Sequence, residues 1–428
     1  MNRYESYKPT DIDWVGEIPS HWETVQPKYK LNRVTRPIDN EDEVITCFRD
    51  GVVTLRKNRR EDGFTNSVKE HGYQQIHPGD LVVHEMDGFA GAIGISDSKG
   101  KSTPVYTVVE PDDRADLKYI AYLLREMSQT GKIESLARSI RERTTDFRWN
   151  MWSVINFPFP PIEEQKLISC YLDNKTSQID SLVEKIQKKI ELLKEQRTSL
   201  INHYVTKGLD PNVEMKDSGV EWIGEIPKHW EVKKIKHLAQ VKRGSSPRPI
   251  DDPRYFEEDG RYSWVRIADV SASGKYLERT TEKLSELGSS LSTKMSPGDL
   301  FLSIAGTVGK PVITKIECCI HDGFVWFDGL EINRDYLYFL FLVGSCFQGL
   351  GKMGTQLNLN TDTVGDVQIP YPNKEEQAQI VLQIENILDK IDRLIVLEQQ
   401  RANKLSEYRQ SLISSVVTGK VRITEDMI

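Results

Sequence analysis

Cysteine is scarce in this chain, and its placing excludes two classes of protein. There are five in 428 residues, Cys47, Cys170, Cys318, Cys319 and Cys346, with no Cys-x-x-Cys among them. An odd number without paired spacing argues against a disulfide framework or a zinc ribbon, and leaves incidental or buried thiols. No run of 18 apolar residues occurs, so no transmembrane helix is expected. The opening Met1-Asn2-Arg3-Tyr4-Glu5-Ser6-Tyr7 has no apolar signal core, and a cytoplasmic location is the default expectation. There is no large excess of either charge: the formal net charge is −7.

Catalytic signatures are missing as well. Gly306-Thr307-Val308-Gly309-Lys310 resembles a phosphate loop, but the first Gly is misplaced and Pro311 stands where Ser or Thr is needed. Gly88, Gly91 and Gly94 are spaced by three, which is not the dinucleotide fingerprint, and a turn-rich β-structure accounts for them better. His71, His77 and His84 do not have metal-ligand spacing, and neither His-Glu-x-x-His nor Gly-x-Ser-x-Gly occurs. With 38% hydrophobic and 28% charged residues the chain is an ordinary globular sequence, and at this length two or more domains are expected.

What the chain does have is a duplication. Asp13-Trp14-Val15-Gly16-Glu17-Ile18-Pro19-Ser20-His21-Trp22-Glu23 returns, 208 residues later, as Glu221-Trp222-Ile223-Gly224-Glu225-Ile226-Pro227-Lys228-His229-Trp230-Glu231, with eight of eleven positions identical. A second pair keeps an offset of 212: Pro160-Pro161-Ile162-Glu163-Glu164-Gln165 against Pro372-Asn373-Lys374-Glu375-Glu376-Gln377, then Ile179-Asp180 against Ile391-Asp392, then Val205-Thr206-Lys207-Gly208 against Val417-Thr418-Gly419-Lys420. Each half thus runs Trp motif, variable stretch, shared segment.

The shared segment reads as a long helix. Leu172, Ile179, Ile186, Leu193 and Leu200 recur every seven residues, as do Ile384, Ile391, Leu405 and Leu412 with Glu398 interrupting. A second row is expected at Ile168 and Leu182 in the first copy, and at Ile380, Ile387, Leu394 and Tyr408 in the second. Proline ahead of Glu-Glu-Gln suits a helix start, acidic residues suit its first turn, and Gly208 and Gly419 suit its end. Each helix would be roughly 40 residues, about 60 Å long. A rod with one apolar seam needs a partner, and the other copy is the nearest; Lys189, Glu398 and Arg401 on the seam are candidates for setting register.

The variable stretches, roughly 24–156 and 232–368, read as mixed α and β. Both carry a Pro-Gly-Asp-Leu turn leading into an apolar strand, Pro78-Gly79-Asp80-Leu81 and Pro297-Gly298-Asp299-Leu300. Basic residues cluster inside them. Arg56, Lys57, Arg59 and Arg60 form one group, and Arg138, Arg141, Arg143 and Arg148 a second just before the first helix. The other copy has Lys242, Arg243 and Arg248 with Ser245 and Ser246, then Arg254, Arg261 and Arg266; Lys310 and Lys352 add to these. Guanidinium and hydroxyl groups suit phosphates and guanine, although any single cluster is as readily a solvated face. Thr355, Gln356 and Asn358 lie before the second helix where the first copy has Arg143 to Arg148. Amides suit adenine and arginine suits guanine, so the two sites would differ in base preference.

The two Trp-x-Gly-Glu-Ile-Pro-x-His-Trp motifs and the two Pro-rich Glu-Glu-Gln helix starts resemble the specificity subunit of type I restriction–modification systems, over essentially the whole chain. Lys242-Arg243-Gly244-Ser245-Ser246-Pro247 and Trp264-Val265-Arg266-Ile267-Ala268-Asp269 look like the opening of a typical target recognition domain. Arg49-Asp50-Gly51-Val52 and Ser102-Thr103-Pro104-Val105-Tyr106 look like a second variety of that domain. The resemblance implies an α+β fold: two mixed α/β target recognition domains, joined by two long antiparallel coiled-coil helices in a pseudo-two-fold repeat. Residues 1–156 would be the first recognition domain, 157–210 the first helix, 211–368 the second domain, and 369–428 the second helix with its tail.

It further implies a non-catalytic subunit. Each domain would read one half of a split DNA target, with half-site centres about 34–36 Å apart or a multiple of that. Partners would be double-stranded DNA, two modification (N6-adenine methyltransferase) subunits and two restriction subunits, with no membrane. S-adenosylmethionine, ATP and Mg would be bound by those partners and no cofactor by this chain. The Trp motif residues Trp14, His21, Trp22, Trp222, His229 and Trp230 are either a packing plug between module and helices or part of a docking surface for a modification subunit. The alternatives are a stand-alone sequence-specific DNA-binding regulator and, third, a helical scaffold without a DNA role.

Overall fold

The computed structural model describes residues 2–59, 70–136, 146–348, 350 and 359–428. The chain divides into two compact units, 1–187 with 400–428, and 188–399. Four helices frame them: α1 (Leu117–Gln129), α2 (Ile162–Lys207), α3 (Arg334–Val343) and α4 (Lys374–Val417). The long helices α2 and α4, of 46 and 44 residues, each pass from one unit into the other.

In the first unit the variable stretch forms a four-stranded antiparallel sheet, ordered Asn32–Val34, Tyr106–Glu110, Leu81–His84, Ile93–Ile95, with α1 packed on it. Two further strand pairs, Ile45–Cys47 with Val53–Leu55 and Gln74–Ile76 with Gly100–Ser102, complete the module. The expected turn stands at Pro78-Gly79-Asp80. Asp80 is fully buried, accepting from the His77 amide at 2.7 Å and pairing with Arg36 at 2.6 Å.

The second unit holds a five-stranded sheet ordered Gln240–Arg243, Phe324–Asp328, Leu300–Ser303, Pro311–Thr314, Tyr276–Leu277, and a four-stranded one ordered Glu282–Leu284, Tyr262–Val265, Cys318–Ile320, Thr293–Met295. Residues 306–309 form the loop joining two strands of the larger sheet, which agrees with rejecting them as a phosphate loop.

The same joints hold both modules to the long helices. In each unit the segment before the long helix makes a short antiparallel pair with the strand after the Trp motif: Phe157–Phe159 with Glu23–Val25, and Gln368–Tyr371 with Glu231–Lys234. The glutamine of Glu-Glu-Gln is buried in both. Gln165 donates to the Pro160 carbonyl (2.8 Å) and accepts from the amide of Asp116, the N-cap of α1 (2.9 Å). Gln377 does the same with Pro372 and with Asn333, the N-cap of α3, both at 2.8 Å. One side chain thereby fixes two helix starts, whose amides lack intrahelical partners.

A tyrosine closes the joint at the other end. The Tyr119 hydroxyl is 2.9 Å from the Pro158 carbonyl and 3.1 Å from that of Val417, at the end of α4. Tyr336 reaches the Pro370 carbonyl at 3.3 Å and that of Val205, near the end of α2, at 2.9 Å. Each module is thus tied to the start of one long helix and the end of the other. The long helices pair antiparallel within each unit. Arg409 of α4 meets Asp180 of α2 at 2.8 Å in the first, and Arg197 of α2 meets Asp392 of α4 at 3.1 Å in the second.

One seam row is largely as expected: Leu172, Ile179, Ile186, Ile384, Ile391 and Leu412 are buried, and Leu193, Leu200 and Leu405 are partly covered. The second row holds only at its start: Ile168 and Ile380 are buried, whereas Leu182, Leu394 and Tyr408 are exposed and Ile387 is only partly covered. The row that packs lies at Ser169, Thr176, Val183 and Ile190 on α2, and at Leu388, Ile395, Ala402 and Val416 on α4. Several of these are small or polar, so a search for apolar repeats follows the wrong side of the helix. Of the three polar candidates for register, Lys189 pairs with the buried Glu398 at 2.6 Å, whereas Arg401 is exposed. Gly208 and Gly419 end the helices at φ +76°, in the left-handed region glycine favours.

Two stability outcomes follow from these contacts. Tyr336→Phe leaves the Val205 carbonyl without this buried donor and is expected to cost about 1–3 kcal/mol, read as a lower midpoint in denaturant. Lys275 ion-pairs with Asp335 of α3 and Glu385 of α4, both at 2.6 Å. Burial pushes the Asp335 carboxyl up, but Lys275 and Arg334 outweigh it and hold it below its ordinary value. Burial likewise lowers Lys275, and its two carboxylate partners more than reverse that. Stability from a depressed carboxyl is present above its unfolded pKa and lost as pH falls through the folded one; the raised lysine contributes until pH climbs through its folded pKa. Lys275→Met is therefore expected to cost about 1–2 kcal/mol near neutral pH and progressively less in acid, measured by thermal melts across pH.

Candidate nucleic-acid interface

The Trp motif folds against the helix joints. Trp22 and Trp230 are completely buried. A Cβ built on Gly419 would lie 3.1 Å from the Trp22 ring, and one built on Gly208 the same distance from Trp230. Trp14 and Trp222 are partly covered, each against its own unit's core. His21 and His229 are the exposed members, and their Nε2 atoms pair with Glu164 at 2.9 Å and Glu376 at 3.0 Å. Trp22 Nε1 also donates to Glu164, at 3.2 Å. The middle carboxylate of each Glu-Glu-Gln thus holds the motif, and the inner tryptophans, Trp22 and Trp230, are packing groups. Of the six motif residues expected to meet a partner, the two histidines are exposed and Trp14 and Trp222 partly so.

In the first unit, Arg56, Lys57 and Arg59 lie on the short turn after strand Val53–Leu55. Arg56 donates to Thr46 Oγ1 at 3.1 Å, and Lys57 pairs with Glu43. Arg59 pairs with Asp50 at 2.6 Å and lies over the Phe48 ring. Arg148 is exposed, bonded to Asp146 at 2.5 Å. Arg60, Arg138, Arg141 and Arg143 lie outside the described residues, as do Lys352, Thr355, Gln356 and Asn358 of the second copy.

In the second unit three of the expected residues, Arg243, Ser246 and Arg248, converge on one turn. Strand Gln240–Arg243 ends beside the turn 321–323, which the sequence reading did not select. Gly244 N donates to the Phe324 carbonyl at 2.9 Å, and a Cβ on Gly244 would fall 2.2 Å from the His321 carbonyl, so only glycine permits this approach. Arg243 Nε donates to the Asp322 carbonyl at 2.6 Å; Ser246 Oγ and Arg248 Nη2 reach the Asp322 carboxylate at 3.2 and 2.8 Å. Ser245 Oγ meets Thr293 Oγ1 at 3.0 Å. Arg266 pairs with Glu282 at 2.6 Å, and Lys242 with Asp328 at 2.5 Å.

His321 anchors that turn. Its Nδ1 accepts from the Gly323 amide at 2.9 Å, and its ring lies against Phe324 and Trp264. Burial holds its pKa below the ordinary value, with Asp322 opposing. Lys310 differs from the rest. Its ammonium donates to the Ser271 and Ser273 carbonyls at 2.9 and 2.7 Å, which makes it an internal staple between the 306–309 loop and helix Ile267–Ala272. Among the described residues no group of three or more His, Cys, Asp or Glu is placed to hold a metal ion, and no helix is long and apolar enough to cross a membrane.

Comparison with known proteins places this geometry. A family model described as "Type I restriction modification DNA specificity domain" matches residues 227–407, which span the second variable stretch and most of the long helix after it. The chain is 22% identical to the type I restriction enzyme EcoKI specificity subunit of Escherichia coli K12, over 95% of this chain and 90% of that one. Along nearly its whole length the chain is similar to type I specificity subunits. The MjaVIII specificity subunit of Methanocaldococcus jannaschii is 27% identical over 63% of each chain. The fold is that of a chain in a solved structure concerned with complex assembly and conformational transition of the type I R-M system, with a TM-score of 0.67 at 16% identity, covering 94% of this chain and 99% of that one. In this chain the repeated motifs are the scaffold, and the unlike strand edges are what differs between the units.

Gly244→Ala tests the convergence of the second edge. A methyl group cannot fit 2.2 Å from a carbonyl oxygen, so strand 240–243 must part from the 321–323 turn. The expected result is a loss of about 1–3 kcal/mol in stability with weakened DNA binding, read by melting and by fluorescence anisotropy on the same sample.

Proposed function

We propose that this chain reads a two-part, asymmetric DNA sequence, one half with each unit, and holds two N6-adenine methyltransferase subunits and two restriction subunits in register on that DNA. The observation that carries the reading is the pairing of identical joints with unlike edges. Gln165 and Gln377, Tyr119 and Tyr336, and Trp22 and Trp230 hold the two modules alike. The modules themselves differ in strand order and in the groups they offer. A molecule reading one palindrome with two identical heads would have no use for that difference.

The chain's part is recognition. Arginine edges such as 242–248 and 56–59 give phosphate contacts that position and guanidinium groups that read bases. Most of these cations are ion-paired within the free protein, so DNA has to displace carboxylates such as Asp50 and Glu282. Binding is accordingly expected to weaken steeply with salt. Methyl transfer and cleavage belong to the partners, with S-adenosylmethionine, ATP and Mg bound there. The target adenine leaves the base stack in the methyltransferase.

Co-expression with a methyltransferase subunit encoded beside it, followed by native mass measurement, is expected to give one copy of this chain with two of that partner. Mapping N6-methyladenine in cells carrying the pair is expected to return one sequence in two parts around an unread spacer. A lone chain that binds a single uninterrupted site, with no methylation in its presence, would overturn the proposal.

A further inference from the structure

One carboxylate stands in the middle of the second unit's basic edge. Asp322 is half-exposed, and DNA phosphates would be repelled by it, so its presence there needs a reason. Its carboxylate takes Ser246 and Arg248 and its carbonyl takes Arg243, gathering three of the edge's donors onto a single residue. The turn that carries it is locked from below by the His321 ring, by the Gly244–Phe324 backbone bond and by the Ser245 amide on the Ile320 carbonyl at 3.3 Å. We infer that Asp322 is a positioning residue for DNA reading by the second unit, aligning Arg243, Ser246 and Arg248 before DNA arrives. This rests on the reading that the 242–248 edge meets DNA.

The bonding pattern fits that role. Arg243 spends its Nε on the Asp322 carbonyl, and the two terminal nitrogens keep the side-by-side geometry that pairs with O6 and N7 of guanine. Arg248 spends Nη2, leaving Nη1 and Nε as further donors of the fork. Long flexible side chains lose rotamer freedom on binding; here the loss is taken at folding, so it does not weaken recognition. A carboxylate used in this way lowers general affinity for DNA while sharpening the difference between sequences.

The test is selection from a randomised DNA pool by the full chain bound to its methyltransferase partner, comparing wild type with Asp322→Asn. The first unit's half-site is the internal control. Asp322→Asn is expected to lose about tenfold in preference at positions of the second half-site, to keep the first half-site intact, and to melt within a few degrees of wild type. If Asp322→Asn binds all sequences more tightly with both half-sites unchanged, the carboxylate is only a repelling charge and the inference fails. A wild-type complex that selects no two-part sequence overturns this inference together with the reading it rests on. Should Asp322→Asn melt far lower, Asp322→Glu keeps the charge and all the DNA-facing donors but displaces the carboxylate from Ser246 and Arg248. The second half-site must then blur in that variant, and its retention overturns the inference.

Discussion

A buried glutamine at the start of each long helix is the constraint on which the rest depends. Gln165 and Gln377 each satisfy a proline carbonyl and the amide of an N-cap residue on a different helix. Both partners are backbone groups in the interior, where an unmade hydrogen bond is costly. The starts of α1 and α2, and of α3 and α4, are therefore joined through a single side chain in each unit. The tyrosines complete the frame from the opposite side. Together they anchor each module to the segments of the long helices that lie in its own unit.

Much of this was legible in the sequence because it occurs twice. The Trp motif, the Glu-Glu-Gln helix start and the terminal glycines each appear in duplicate, and each is a joint in the structure. The turns at Pro78-Gly79-Asp80 and Pro297-Gly298-Asp299 were readable because glycine with φ of +90° and +101° leaves a recognisable signature. The tyrosine ties were not. Tyr119 and Tyr336 sit at an offset of 217, which matches neither repeat, and a tyrosine among apolar helix residues reads as core. The second seam row was legible only at Ile168 and Ile380, because Ser169, Thr176 and Ala402 do not register as hydrophobic although they are buried.

The basic edges proposed to meet DNA were legible only as composition. Clustered arginines point to phosphate and base edges, but their carboxylate partners come from elsewhere in the chain: Asp322 for Arg248, Glu282 for Arg266, Asp50 for Arg59. No spacing rule joins residue 248 to residue 322. Lys310 shows the converse, a cation whose sequence neighbours give no sign that it bonds to the Ser271 and Ser273 carbonyls. Scaffold is written in repeats and spacing, whereas an interface is written in contacts that only folding brings together.

The division of the chain also orders its synthesis. Residues 188–399 form one uninterrupted unit, whereas the other is closed by 400–428. Its core includes Leu412, Ile413, Val416 and Val417, and Tyr119 has its partner only when Val417 is in place. The first module is synthesised before the 188–399 unit but cannot close until residues 400–428 have emerged. During that interval the indole of Trp22 and the apolar face of α2 lack part of their cover, so this module is exposed to misfolding and to chaperones while the other is made.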